Sequence, residues 1–334
     1  MSYIAVLGAG AWGSSLAKLL AEKEYDTIIW ALEDEVAEEI NLKGTNSTYI
    51  EGVDFPKALK ATSDLSKAIS KARYVLNVVP TQHTRSVMEK ALPDMDDDTI
   101  IISASKGIEN GTCLTVSGII KELTGHQVAV LSGPSFAAEV TKRLPTAVTL
   151  SAEDNNTALL LQEIFNTDYF RVYTHHDVLG VELGGALKNV MAVASGISDG
   201  LGLGNSARAA LITRGLAEMT RLGVSMGADP KTFAGLSGLG DLVLTCSSPL
   251  SRNYTVGSQL GKGMTLRDIM EGRRSVAEGV ATAKAAHELA LRQGVEMPIA
   301  HQIYKVLYED KPAAEAVSDL MTRSPKAEFN SPDA

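Results

Sequence analysis

Cysteine is almost missing from this chain of 334 residues: Cys113 and Cys246 are the only two. Two thiols cannot build a disulfide framework, and two reduced thiols in the cytosol are the expectation. A basic excess is also missing. The formal net charge is −9, which excludes a global electrostatic footprint for nucleic acid. Any anionic substrate must therefore be held by a local cluster of cations. No apolar run approaches membrane-spanning length, and no signal peptide precedes the first strand. The chain is expected to begin at or next to Met1, to stay in the cytoplasm, and not to be an integral membrane protein. Its histidines and cysteines lack the spacing of metal ligands, so no metal is expected. Internal repeats and low-complexity segments are absent too.

What is present begins at the first strand. Tyr3-Ile-Ala-Val-Leu7 runs into Gly8-Ala-Gly10-Ala-Trp-Gly13 and then Ser14-Ser-Leu-Ala-Lys-Leu-Leu20. Gly8 permits the tight turn, Gly10 lets backbone approach a pyrophosphate, and Gly13 lets the helix pack closely on the strand. The free N–H groups of the first helical turn then face the phosphates. The strand is nearly all apolar, as burial on both faces requires. A second strand, Asp26–Trp30, leads to Glu33, 20 residues beyond Gly13, where a ribose-binding acid is expected. The pattern points to a dinucleotide. The alternative is a structural glycine turn in another doubly wound sheet.

Length suggests about two domains, and 45% hydrophobic with 21% charged residues provides ample core. Buried-type strands recur at Tyr74–Val79, Thr99–Ser103, Gln127–Leu131, Thr146–Leu150 and Tyr169–Tyr173. Helical segments such as Leu159–Phe165 lie between them. The alternation predicts an α/β unit with a mostly parallel, Rossmann-type sheet and helices on both faces. From about His175 strand character disappears. Helices are expected over Val178–Ile197, Ala207–Leu222, Thr265–Met270, Ala277–Gln293 and Ile299–Tyr308. The division is therefore 1–175 for dinucleotide binding, 176–322 for an all-helical catalytic part, and 323–334 for a polar, frayed tail.

Ligands of such sheets bind beyond the carboxyl ends of strands. Three ends carry informative residues: Pro80-Thr-Gln82, Ser103-Ala-Ser-Lys106-Gly107, and Gly133-Pro134-Ser135-Phe136. The last reads as a helix start with Pro134 in its first turn. Lys106 is either an ammonium placed at the site or a solvated lysine. Lys188, inside the apolar Gly184-Gly-Ala-Leu-Lys-Asn189 stretch, is the strongest oddity. Burying an ammonium is costly unless it is paired or neutral, and a desolvated lysine exchanges protons near neutral pH. The plainer reading is a lysine that snorkels to the surface. Asp241 ends a glycine-rich loop, Gly235–Gly240, and opens a short apolar run. It is a partner for Lys188 or a helix N-cap. Arg252 with Asn253 makes a plausible phosphate clamp, or Arg252 forms a rim salt bridge.

These motifs, in order and over almost the whole chain, resemble the bacterial NAD(P)-dependent glycerol-3-phosphate dehydrogenases. They are the glycine turn, Ser105-Lys-Gly107, Gly133-Pro-Ser-Phe136, Gly184–Asn189, Gly238-Leu-Gly-Asp-Leu242, Ser251-Arg-Asn253 and Val276-Ala-Glu278-Gly279. The resemblance implies reduction of dihydroxyacetone phosphate to sn-glycerol 3-phosphate, the backbone precursor of phospholipids, with NAD(H) or NADP(H) and no metal. It makes Lys188 the proton donor or acceptor, with Lys106 and Asp241 completing the catalytic set. Substrate contacts are implied for Lys106, Gly133, Ser135, Lys188, Asn189, Asp241, Thr245, Ser251, Arg252 and Asn253. Cofactor contacts are implied for Gly8, Gly10, Ala11, Trp12, Gly13, Leu32, Glu33, Tyr49, Pro80, Lys106, Ala137, Arg252, Val276 and Glu278. A homodimer is implied as well. Two departures stand out: Ala11 replaces the family's usual Ser, and Leu32-Glu33 stand where many members carry His or Arg. An acid favours a free ribose 2′-hydroxyl, so NADH is expected to serve at least as well as NADPH. The rival readings are a β-hydroxyacid dehydrogenase acting on a carboxylate and a non-catalytic NAD(H) sensor.

Overall fold

A computed structural model describes residues 3–271, 277–325 and 327–328. Val276 and the tail residues 326 and 329–334 lie outside the described residues. Eight strands form one sheet: β1 (Ile4–Leu7), β2 (Thr27–Trp30), β3 (Lys60–Thr62), β4 (Tyr74–Asn77), β5 (Ile100–Ser103), β6 (Val128–Ser132), β7 (Thr146–Ala152) and β8 (Phe170–His175). Their spatial order is β3-β2-β1-β4-β5-β6-β7-β8. Every pair is parallel except β6–β7.

The apolar runs explain the layering. Every residue of β1, β4, β5 and β6 is buried. Alternate side chains go to opposite faces. Ile4, Val6, Leu76 and Ile102 pack with Leu16, Leu19 and Leu20 of helix Ala11–Glu22. Ala5, Leu7, Val75 and Ile101 pack with Met88 and Ile120 on the other side. Each such side chain contributes about 1.5–3 kcal/mol of transfer free energy. Strand order reverses between β1 and β4, and a crevice opens there beyond the strand ends.

Past His175 all described regular elements are helices. Helix Val178–Gly200 is buried along its length except at Leu179, Asp199 and Gly200. By length and composition it would suffice to cross a membrane, which corrects the expectation that no apolar run reaches that size. It is instead a core helix, with 94% of its apolar window buried inside the fold. Apolar residues around its whole circumference serve neighbours on every side. Helix Arg252–Gly261 crosses it so closely that backbones touch. A Cβ on Gly196 would lie 2.0 Å from Tyr254 O, and one on Gly257 would lie 2.0 Å from Val193 O.

Two elements went unmarked in the sequence, and two local expectations change. β3 is a short edge strand of three residues, too brief to show an alternation. Helix Ala313–Met321 was unmarked because only Ala316 is buried on it. Gly133–Phe136 does not start a helix: the helix is Ala137–Val140 with Phe136 at its N-cap, so Pro134 lies in the preceding loop. The glycine-rich segment is not a loop, since Leu236–Gly240 forms a π-helical turn that runs into helix Asp241–Cys246.

Gly257→Ala is expected to destabilise the protein by about 1–3 kcal/mol through overpacking. Gly125→Ala, with nothing within 4 Å of its new Cβ, is expected to leave stability within about 0.5 kcal/mol. Urea unfolding of the two variants side by side checks both values.

Candidate active site

The polar centre is built around one buried carboxylate. Asp241 is 1% exposed. Its Oδ1 accepts from Lys188 Nζ at 2.7 Å and from Thr245 Oγ1 at 3.2 Å. Its Oδ2 accepts from Lys106 Nζ at 2.7 Å. Lys188 Nζ also donates to Thr245 Oγ1 and Lys106 Nζ to Gly133 O, at 2.7 and 2.9 Å. Three separate elements meet here. Lys106 follows β5, Lys188 lies midway along helix Val178–Gly200, and Asp241 with Thr245 comes from the short helix after the π turn. Glycine permits the meeting. A Cβ on Gly184 would lie 2.7 Å from Ser237 O, and one on Gly185 would lie 2.5 Å from Ser132 Oγ.

Burial sets the protonation. It pushes Lys188 down to about 8; Asp241 opposes this and the charge of Lys106 adds to it. For Asp241 burial acts upward, but the two ammonium groups outweigh it and hold the carboxyl below its ordinary value. The site thus keeps a fixed anion beside an ammonium that releases its proton near neutral pH. Lys188 does not snorkel, being 7% exposed. Nor is Asp241 an N-cap: Gly240 holds that position.

A chain of amides leads away from the triad. Asn189 Nδ2 donates to Lys106 O, Asn253 Nδ2 to Asn189 Oδ1, and Gly279 N to Asn253 Oδ1, each at 2.9 Å. Each amide keeps one further N–H. Ser251 caps helix Arg252–Gly261 by accepting from Tyr254 N at 3.2 Å. Arg252, first in that helix, is exposed and has Glu278 as its charged neighbour. Ser135 Oγ donates to Gly133 O at 3.0 Å.

The residues expected around a dinucleotide fit one. Gly8 adopts φ +108°, which side chains rarely tolerate. A Cβ on Gly13 would lie 1.9 Å from Gly8 O, whereas Gly10 has open space before it. Gly10 caps helix Ala11–Glu22, and Ala11 and Trp12 form its first turn. Trp12 Nε1 is a buried donor with no partner in the protein. Pro80 caps helix Thr81–Ala91 beyond β4, and Ala137 opens its own short helix. Glu33 lies beyond β2 and accepts from Tyr49 OH at 2.6 Å. Together with Glu35, Val36 and Thr48 they line a cavity of about 520 Å³. Leu32 is 74% exposed. A cofactor held here would have its ribose beside Glu33 and its phosphates at the glycine turn. Among the described residues, no group of three or more His, Cys, Asp or Glu is placed to hold a metal ion.

Sequence reasoning missed one contact. Thr81 N donates to Glu278 Oε1 at 2.8 Å across 197 residues. Neither residue carries a spacing signal that announces the other.

The chain matches two family models. Residues 3–158 match the N-terminus of NAD-dependent glycerol-3-phosphate dehydrogenase, and residues 177–318 match its C-terminus. It is 55% identical over 329 residues to a glycerol-3-phosphate dehydrogenase (NAD(P)+) of Citrifermentans bemidjiense, covering 97% of this chain and 98% of that one. It is 53% identical to the Geobacter sulfurreducens protein of the same name, with the same coverage. A crystal structure of glycerol-3-phosphate dehydrogenase from Coxiella burnetii superposes with a TM-score of 0.93 at 40% identity, covering 96% of this chain and 99% of that one. With its sheet, its crevice and its lysine–aspartate centre in the same order as these motifs, the chain belongs to the NAD-dependent glycerol-3-phosphate dehydrogenase family.

Proposed function

We propose that this oxidoreductase reduces dihydroxyacetone phosphate to sn-glycerol 3-phosphate reversibly, with Lys188 as the proton donor. The observation that carries the assignment is Asp241 bonded to Lys188 and Lys106 beyond the ends of β5 and β6. A nicotinamide cofactor held in the crevice would supply the hydride for the substrate's carbonyl carbon. The forming alkoxide then needs a proton and nearby positive charge. Lys188 delivers the proton from Nζ and Lys106 polarises the same oxygen. Asp241 fixes both ammonium groups, and Thr245 Oγ1 orients Lys188. Arg252, with the remaining N–H of Asn253 and the Ser251 hydroxyl, holds the phosphate. Ser135, Gly133 and Asn189 border the carbon skeleton. Anchoring the remote phosphate orients the reacting carbonyl. Matches over both halves of the chain leave the carboxylate-substrate and sensor readings without support.

Glu33 sets the cofactor choice. Tyr49 fixes its carboxylate and Glu35 adds a second acid to the same cavity, so a 2′-phosphate meets repulsion there. The product serves as a phospholipid precursor, and the enzyme works in the cytoplasm. A homodimer completes the proposal. Helix Gly204–Ser225 has no buried residue before Gly215, although it carries Ala209-Ala-Leu-Ile212.

Four outcomes are expected. Purified protein oxidises NADH only when dihydroxyacetone phosphate is added, and at least as fast as NADPH; Glu33→Gln narrows that ratio. Substrate-independent rates or a strong NADPH preference would contradict this. Lys188→Met lowers kcat by about 10²–10⁴ while NADH binding, read by fluorescence titration, persists. In the wild type, kcat/KM for reduction falls as pH rises past about 8, because Lys188 must start protonated, and kcat/KM for oxidation rises through the same pH. Light scattering gives twice the 35.4 kDa chain mass; a monomer at micromolar concentration would remove the dimer.

A further inference from the structure

One carboxylate reaches from the helical half to the strand-end loops without taking part in the proton chemistry. Glu278 opens helix Glu278–Gln293. Its Oε1 accepts from Thr81 N, just past β4. Its Oε2 is buried without an aligned partner, and so is Thr81 Oγ1. Gly107 leaves room for these two oxygens by having no side chain. A Cβ built on it would lie 2.5 Å from Thr81 Oγ1 and 2.6 Å from Glu278 Oε2. Glu278 is therefore bonded to the start of helix Thr81–Ala91 after β4, and its other oxygen lies close to Gly107 in the loop after β5. Gly107 directly follows Lys106.

A second path leaves the same helix end. Gly279, next to Glu278, donates to Asn253, which donates to Asn189, which donates to the carbonyl of Lys106. The two paths approach Lys106 from different sides: the Thr81 bond and the close fit at Gly107 on one, the bonds through Gly279, Asn253 and Asn189 on the other. Asn189 and Asn253 are 5% and 8% exposed. Bonds so shielded from water hold their geometry, and removing one partner leaves a buried group unsatisfied. The Lys106 backbone is thus fixed from both sides by residues at one helix terminus.

We infer that Glu278 is a positioning residue for Lys106, clamping the loops after β4 and β5 against the helical half so that the lysine meets Asp241. Its value to the reaction lies in the Thr81 bond and the fit against Gly107. The sequence resemblance gave this position only a cofactor contact. The role rests on Lys106 being catalytic as proposed above.

The test compares Glu278→Ala, Glu278→Gln and Gly107→Ala in the full-length protein. Steady-state rates at saturating NADH and dihydroxyacetone phosphate are read alongside NADH affinity by fluorescence titration. At saturating NADH, Glu278→Ala is expected to lower kcat by about tenfold or more, over and above whatever NADH affinity the cofactor contact at this position carries. Glu278→Gln keeps an acceptor for Thr81 N and is expected to restore at least about a third of kcat. Gly107→Ala should reproduce the Glu278→Ala loss, and the double variant should be no worse than the poorer single, as coupled sites behave. Loss of NADH affinity with kcat intact would overturn the inference, as would additive losses or a Gln variant as poor as Ala. If Gly107→Ala does not fold, the Ala and Gln variants of Glu278 decide alone. Lys106→Met with unchanged kcat would instead refute the catalytic assignment itself, so the two failures are separable.

Discussion

The site depends on a single anion taken out of water between two cations. Asp241 could not remain ionised where it lies without Lys106 and Lys188, and neither ammonium would stay near it without the carboxylate. Removing one partner of such a buried set costs about 3–5 kcal/mol. The chemistry follows from burial. Loss of water loosens Lys188 toward neutrality, the nearby charge of Lys106 adds to that, and Asp241 only partly opposes it. A proton that must move during turnover is thereby kept on the group whose environment already favours its release.

Holding three side chains from distant segments around that anion needs backbone-to-backbone contact. Gly184 admits the carbonyl of Ser237, and Gly196 and Gly257 bring two helices together without intervening side chains. Larger residues there would separate the elements by more than a hydrogen bond tolerates. The same reasoning covers the crevice, where Gly8 and Gly13 bring strand and helix together. Close packing, more than any loop, is what sets the spacing between the proton donor and the residues assigned to the phosphate.

Much of this was legible in the chain. Strands buried on both faces announce themselves as apolar runs, and seven of the eight were found within a few residues of their ends. The glycine turn and Lys188 stood out because each breaks a local rule, a sharp turn in one case and a charge in an apolar helix in the other. What stayed hidden was local in a different way. β3 and helix Ala313–Met321 bury too little to leave a periodic mark. The π turn at Leu236–Gly240 closes on itself, Gly240 N donating to Gly235 O, a pattern that glycine composition does not reveal. Thr81 and Glu278 meet only because the sheet and the helical half have already docked. Helix Val178–Gly200 is longer than the run expected there, and it is the core that surrounds it.

The antiparallel step between β6 and β7 has a consequence of its own. β8 runs parallel to β7, so it ends on the side of the sheet away from the crevice. The long helix that follows therefore travels back over the face of the sheet, passing Val130 of β6 with Val178 and Val181 before reaching Ser132 at Gly185. Lys188 arrives halfway along a helix of 23 residues, with turns on both sides. It cannot be released by fraying, because helix ends fray and helix middles do not. Its local opening coincides with loss of the surrounding core, so its amide belongs among the slowest to exchange with solvent deuterium. An ammonium that exchanges its proton near neutral pH is thus carried by backbone whose own amide proton exchanges last.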